Sequence, residues 1–141
     1  MSIFSSCLRA ALAGVVLAAS STSQAGVRED LLAQYRAAVQ AETGAWTGWS
    51  GARGQALHTQ KLNGGKANTP SCTTCHGADV RAPGRTLTGK PLEAMAASAA
   101  PNRYTDAAKV EKWFQRNCNE VLGRACTAQE KGDWLTFMLT Q

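Results

Sequence analysis

An all-α fold threaded by long loops is the architecture this sequence predicts. Apolar residues recur at helical spacing near both ends of the chain: Val27, Leu31, Tyr35 and Ala38 at one end, Trp134, Leu135, Met138 and Leu139 at the other. Helix-start chemistry stands before the last two helical segments. No alternating apolar–polar run is long enough for a useful strand, and no segment repeats.

The elements follow in chain order. Val27 to about Glu42 reads as a helix, with Glu29 and Asp30 in its first turn, where the helix dipole favours acid. TGAWTGWSGARG, Thr43 to Gly54, is a Gly- and Trp-rich connection, and a short helix from about Arg53 to Lys61 follows it. NGGKANTP, Asn63 to Pro70, is a loop that leads into SCTTCHG. Ala78 to Lys90 is irregular, with Pro83, Gly84 and Gly89. A short helix is expected from Pro91, because proline suits the first helical position, and Pro101 ends it. Asp106 caps the next helix, through about Val121, on which Val110, Trp113, Phe114, Asn117 and Val121 fall on one stripe. Thr127 and Glu130 form a capping box for the last helix. Loops this long in a compact domain call for something to wrap.

Residues 1–25 read as a secretory leader. Arg9 supplies a basic start, Ala10 to Ala19 an apolar run, and Ser23-Gln24-Ala25 the small residues of a cleavage site. The run is too short to span a membrane, which takes about 20 apolar residues. Cleavage after Ala25 would leave Gly26 to Gln141, one compact domain, in the periplasm. It would also remove Cys7, which precedes the apolar run and so makes a poor lipoprotein site. The formal charge of +5 falls to +4 with Arg9, because the leader holds no acid. No basic run with interleaved aromatics is present, which argues against nucleic acid as a partner.

Cys72, Cys75, Cys118 and Cys126 remain after cleavage, and an even number in an exported chain points to paired or committed sulfurs. Cys72-Thr73-Thr74-Cys75-His76 is the strongest signal in the chain. C-x-x-C-H attaches c-type haem: two thiols bond to the macrocycle edge, and the next imidazole swings under the iron. His76 is therefore the proximal iron ligand. A redox C-x-x-C would need a βαβ context, which is missing, and Cys118 and Cys126 are too widely spaced for the second half of a zinc site. One covalent haem c, wrapped by the loops and closed by packed terminal helices, makes residues 26–141 a class I cytochrome c-like domain.

The face of the iron opposite His76 decides function. His58, Met95, Met138 and Asn117 are the candidate sixth ligands. Methionine would make an ordinary electron carrier, and a second histidine a low-spin one. Pattern alone favours Met95, in a plausible loop or short helix; Met138 reads as helix packing and His58 as a surface or haem-edge residue. Asn117 has a bland reading too, as a buried or capping amide near a helix end.

GGKANTPSCTTCHGADV, RTLTGK, PNRYTDAAKVEKWFQRNCN and GRACTAQEKGDWL together resemble the sphaeroides haem protein family, oxygen-binding monohaem cytochromes c related to cytochrome c double-prime. The resemblance runs from about Gly54 to the C-terminus. It implies that Asn117 is the sixth ligand and that Cys118 pairs with Cys126. The related cytochrome c double-prime carries histidine at the ligand position and releases it on reduction. The resemblance further implies oxygen, carbon monoxide or nitric oxide as ligands, a dihaem cytochrome c donor and a membrane cytochrome b as partners, and a monomer or weak dimer.

The chemistry agrees with that assignment. An amide oxygen is a neutral, weak and fairly hard ligand that suits ferric better than ferrous iron. Reduction should loosen it, and the freed amide retains N–H groups to donate. A bridge from Cys118 to Cys126 would need a turn, because eight helical residues rise about 12 Å and a disulfide holds its Cα atoms about 4.4–6.8 Å apart. Gly123 is the expected break, and two free buried thiols are the alternative. Arg81, Arg85, Lys90, Arg103, Arg116 and Arg124 are candidate propionate partners, Trp46 and Trp49 are loop anchors or haem covers, and Pro83 is a weak haem-wall candidate. Three functions compete: gas binding or reduction with electron transfer, plain electron carriage through Met95, and sensing by a ligand switch.

Overall fold

The computed structural model describes residues 24–141, so the leader, its cleavage and Cys7 lie outside the described residues save for Gln24 and Ala25. Helix α1 runs Gln24–Thr43, α2 Gly51–Thr59, the one-turn α3 Thr73–His76, α4 Ala107–Leu122 and α5 Ala128–Leu139. Strands β1, Gly84–Arg85, and β2, Pro91–Leu92, form a minimal antiparallel hairpin. No helix among the described residues is long and apolar enough to cross a membrane.

The last helix organises the fold. α5 packs on both α1 and α2, and α1 also touches α4, so the helices at the two ends of the chain meet as expected. Leu31 and Tyr35 of α1, Phe114 and Cys118 of α4 and Leu135 of α5 share one buried cluster. Val80, Met95, Ala96, Phe137 and Met138 make a second, and Trp134 packs against both. On α1 the third buried position is Val39 rather than Ala38. That helix also starts three residues earlier than expected, which moves Glu29 and Asp30 past its first turn.

The Gly- and Trp-rich connection is an anchor. Its last residue, Ser50, caps α2 by accepting from the Arg53 amide at 3.2 Å. The buried Asp133 carboxylate accepts from the Ser50 amide at 2.7 Å and from Arg53 Nε at 2.6 Å, which ties that cap to α5. Trp49 lies against Gly132, where a Cβ would come within 2.2 Å of the indole ring. Gly54 does the same service for the helix pair, since a Cβ there would fall 2.1 Å from the Asp133 carbonyl. Trp46 stacks edge-on to Trp49 at 5.4 Å and lies under Arg36 at 4.5 Å. Neither indole lines the large cavity described below.

Pro91 does not start a helix. It pairs in β2, and the stretch after it makes only turns, closed by bonds such as Ala100 N–H to the Ala96 carbonyl at 3.0 Å. The reason is tertiary: the Met95 and Ala96 amides both donate to the Val80 carbonyl at 2.8 Å, which removes them from any local helical ladder. α4 and α5 are as the caps foretold. Asp106 accepts from the Lys109 amide at 3.0 Å, and the Thr127–Glu130 capping box closes in both directions.

Candidate haem site

α3 is too short to hold itself, and its neighbours fix it. The buried Ser71 hydroxyl donates to the His58 carbonyl at 3.1 Å and accepts from the Thr73 amide at 3.2 Å. The Gly77 amide returns to the Thr73 carbonyl at 3.0 Å, with φ at +70°. Gly84 of the hairpin presses on the same turn: a Cβ there would stand 2.2 Å from the Cys75 carbonyl oxygen. Pro83, the haem-wall candidate, is exposed and takes no part in the cavity.

His58 is not at a surface or a haem edge. It is fully buried, with its ring centroid 6.1 Å from Phe137 and 6.5 Å from Trp134, and it does not line the cavity. Its Nε2 lies 3.0 Å from the Gly77 carbonyl. A carbonyl only accepts, so Nε2 carries the proton and donates. Burial holds this imidazole below the ordinary histidine range, although the bond to Gly77 opposes the shift. His58 thus braces the residue that follows His76. The sequence signal was available in hindsight: it falls one helical turn after Gly54, on the α2 face that meets α5.

His76 is half-buried, and burial first, then the charges of His58 and Arg103, push its imidazole down to about 4. It is neutral near pH 7, the form that ligates metal. Cys72 and Cys75 are unpaired, and burial pushes the Cys72 thiol up to about 11.

α4 supplies the other residues. Val110, Phe114, Cys118 and Val121 are its buried stripe. Trp113 and Asn117 fall on a separate flank: Trp113 is 44% exposed, and Asn117 is exposed. The single stripe expected from spacing is therefore two, a buried one that packs in the core and reaches the cavity wall, and an exposed one on the same wall. The C-terminal end of α4 is clamped. Cys118 and Cys126 are joined, with Cα atoms 5.5 Å apart, across a turn made by Gly123 in the left-handed region at φ +72°. Lys66 of the Gly-Gly loop donates its amide to the Glu120 carbonyl at 2.8 Å. Arg124 meets Glu130 at 2.7 Å and holds the cap of α5 against this turn.

One cavity of about 1210 Å³ joins these parts, and Cys72, Cys75, His76, Met95, Trp113 and Asn117 all line it. The donor set fits a haem. Two free thiols and a neutral imidazole come from the attachment motif, and the mixed apolar and polar wall is large enough for a cofactor. Met138, the helix-packing candidate, is fully buried away from the cavity. Met95 lines it, but its side chain also belongs to the Phe137 and Met138 cluster.

A family model described as a domain of unknown function, DUF1924, matches residues 44–138. Cytochrome c-type protein SHP of Cereibacter sphaeroides is 50% identical over 134 residues, 95% of each chain. The chain belongs to this family of c-type cytochromes. Members of the family carry covalently bound haem c, and so does this chain. The structure of oxidized SHP, described as an oxygen binding cytochrome c, superposes with a TM-score of 0.74 and covers 81% of this chain and 96% of that one. Cytochrome c'' of Methylophilus methylotrophus is 26% identical over 132 residues, 93% of this chain and 92% of that one. The crystal structure of its oxidized form gives a TM-score of 0.73 over 82% of this chain and 94% of that one. A solution structure of the same cytochrome is presented as bearing on haem-ligand detachment.

The candidate cations part company here. Lys90, Arg103 and Arg116 line the cavity, whereas Arg81, Arg85 and Arg124 do not. Arg85 donates to the Gly89 carbonyl at 3.2 Å, and Arg116 lies over the Trp113 ring at 5.4 Å.

Proposed function

We propose that this chain is an exported c-type cytochrome whose haem is held by Cys72, Cys75 and His76, with Asn117 as a labile sixth ligand in the ferric state. The haem supplies an iron that exchanges one electron and, when ferrous, takes up a diatomic gas. Cys72 and Cys75 would hold the group in the cavity through thioether bonds, and neutral His76 would provide its permanent nitrogen donor. Asn117 offers a weak oxygen donor from the end of α4. A hard neutral oxygen of this kind would suit ferric iron better than softer ferrous iron, so Asn117 would be held less firmly after reduction. The freed amide then has N–H groups to donate to a gas ligand.

The observation that carries this reading is Asn117 on the exposed flank of α4, lining the cavity shared by the attachment motif. The likeness to an oxygen binding cytochrome c at 50% identity supports it. Export to the periplasm with cleavage after Ala25, electron delivery from a dihaem cytochrome c and exchange with a membrane cytochrome b belong to the same reading. Met95 favours a second one, the plain electron carrier, because it lines the same cavity.

Ferric spectra of wild type, Asn117→Val and Met95→Leu decide between them. Asn117→Val should retain covalent haem, bind added azide or imidazole more tightly in the ferric state, and leave ferrous carbon monoxide affinity nearly unchanged. If Met95→Leu alters the ligand field and Asn117→Val does not, the electron carrier wins. Intact mass of protein from the periplasm checks the leader.

A further inference from the structure

Arg103 is the cation that the cavity wall has built in. Lys90, Lys109 and Arg116 also line the cavity, but each is exposed, whereas Arg103 is half-buried. Its Nη2 donates to the Glu93 carbonyl at 3.1 Å. Its Nε is buried with no hydrogen-bond partner. A buried, charged N–H without an acceptor is costly, and native sites rarely keep one without a use.

The segment presenting it is held from several sides. Arg28 of α1 donates from Nη2 to the carbonyls of Pro101 and Arg103, the latter at 2.7 Å. Tyr104 adopts a left-handed backbone with φ of 62°, which costs a non-glycine residue energy. Its hydroxyl donates to the Met95 carbonyl at 2.7 Å. Strain maintained by several bonds is a mark of functional placement. What the guanidinium lacks is a carboxylate, and no acidic group among the described residues fills that place: its contacts are with the Glu93 carbonyl and the Tyr104 phenol.

We propose that Arg103 anchors a haem propionate and that its charge raises the reduction potential. Nε–H and a neighbouring N–H of a guanidinium form a fork that matches a carboxylate, which an ammonium cannot reproduce. A fixed cation at the macrocycle edge also favours the ferrous form, because reduction adds negative charge. The inference rests on the haem reading given above, and the two fail separately.

The test uses the matured holoprotein and three variants: Arg103→Gln, Arg103→Lys and, as a surface control outside the cavity, Arg81→Gln. Two quantities are read, the midpoint potential and the propionate bending band in resonance Raman, which follows hydrogen bonding to the carboxylates. Removing one unit charge at an effective dielectric of about 20 shifts the ferric–ferrous equilibrium roughly tenfold toward ferric, or ~59 mV downward for one electron. Arg103→Gln should show that fall and a lower propionate band, Arg103→Lys a smaller fall with the band also lowered, and Arg81→Gln neither. Wild-type potential and band in Arg103→Gln would overturn the inference. Should that variant not accumulate, Arg103→Lys carries the test, and a band identical to wild type overturns it. Wild-type protein without the added mass of haem would instead sink the haem reading itself.

Discussion

The two cavity segments that carry the proposed iron ligands are built in opposite ways. His76 sits on a single turn with almost no helical cooperativity, yet Ser71, His58 and the hairpin at Gly84 brace it from outside. Asn117 sits on a long capped helix, yet its side chain projects from the exposed flank, and bracing begins only beyond it, at Glu120 and Cys118. The lesson is that permanence does not follow from secondary structure. A short segment tied by tertiary bonds suits a ligand that stays, and a firm helix end with a free side chain suits one that leaves and returns.

The largest way to break the contrast is to remove the tether. Cys72→Ala combined with Cys75→Ala should abolish covalent haem altogether, read as loss of haem mass and of in-gel haem stain. Removing the bridge attacks the Asn117 side. Cys118→Ser with Cys126→Ser should lower holoprotein stability by something under ~3 kcal/mol, the model value for a longer, 15-residue loop, by denaturant titration. It should also raise ferric azide affinity, by less than Asn117→Val does. Alkylation of both cysteines in unreduced, unfolded wild type would show that no bridge was there to remove.

His58 tests the opposite segment. His58→Leu keeps the volume filled but leaves the Gly77 carbonyl without its donor, an expected loss of roughly 2 kcal/mol. The acid response should change with it. Burial lowers the folded His58 pKa, so the unfolded chain binds its proton first as pH falls. Stability therefore drops below about pH 6.5 and levels off once the folded imidazole also protonates. His58→Leu should remove that component of the slope between neutral and mildly acid pH.

The smallest effect sharpens the comparison at the turn after Asn117. Arg124, then the Thr127 amide, holds the Glu130 carboxyl below its usual 4.5 against the opposing effect of burial. A depressed folded pKa contributes stability above 4.5 that is lost as pH falls through the folded value. Glu130→Gln should cost roughly 0.5–1 kcal/mol at neutral pH and flatten the stability curve below pH 4.5, with the ferric spectrum unchanged.

Local chemistry was legible wherever one short stretch carried the whole signal. The haem motif, the Asp106 cap, the Thr127–Glu130 box and the break at Gly123 each depend on residues within a few positions of one another, and each stands where the sequence puts it. Failures came where distant chain competes for the same groups. Val80 takes the amides of Met95 and Ala96 and so undoes a helix from Pro91, a choice that local propensity does not register. The α4 stripe split for a similar reason. Helical spacing groups Trp113 and Asn117 with Phe114, but which flank is also buried against α1 depends on how the helices pack. His58 and Arg103 were ambiguous in the chain because burial is a property of the assembled fold. Spacing therefore named the groups that could bond to haem, whereas packing chose which histidine braces, which arginine keeps a buried N–H without a partner, and which face of α4 is covered by the core. Covalent and capping chemistry acts over a few residues, but burial and solvation are set by everything that folds around a side chain.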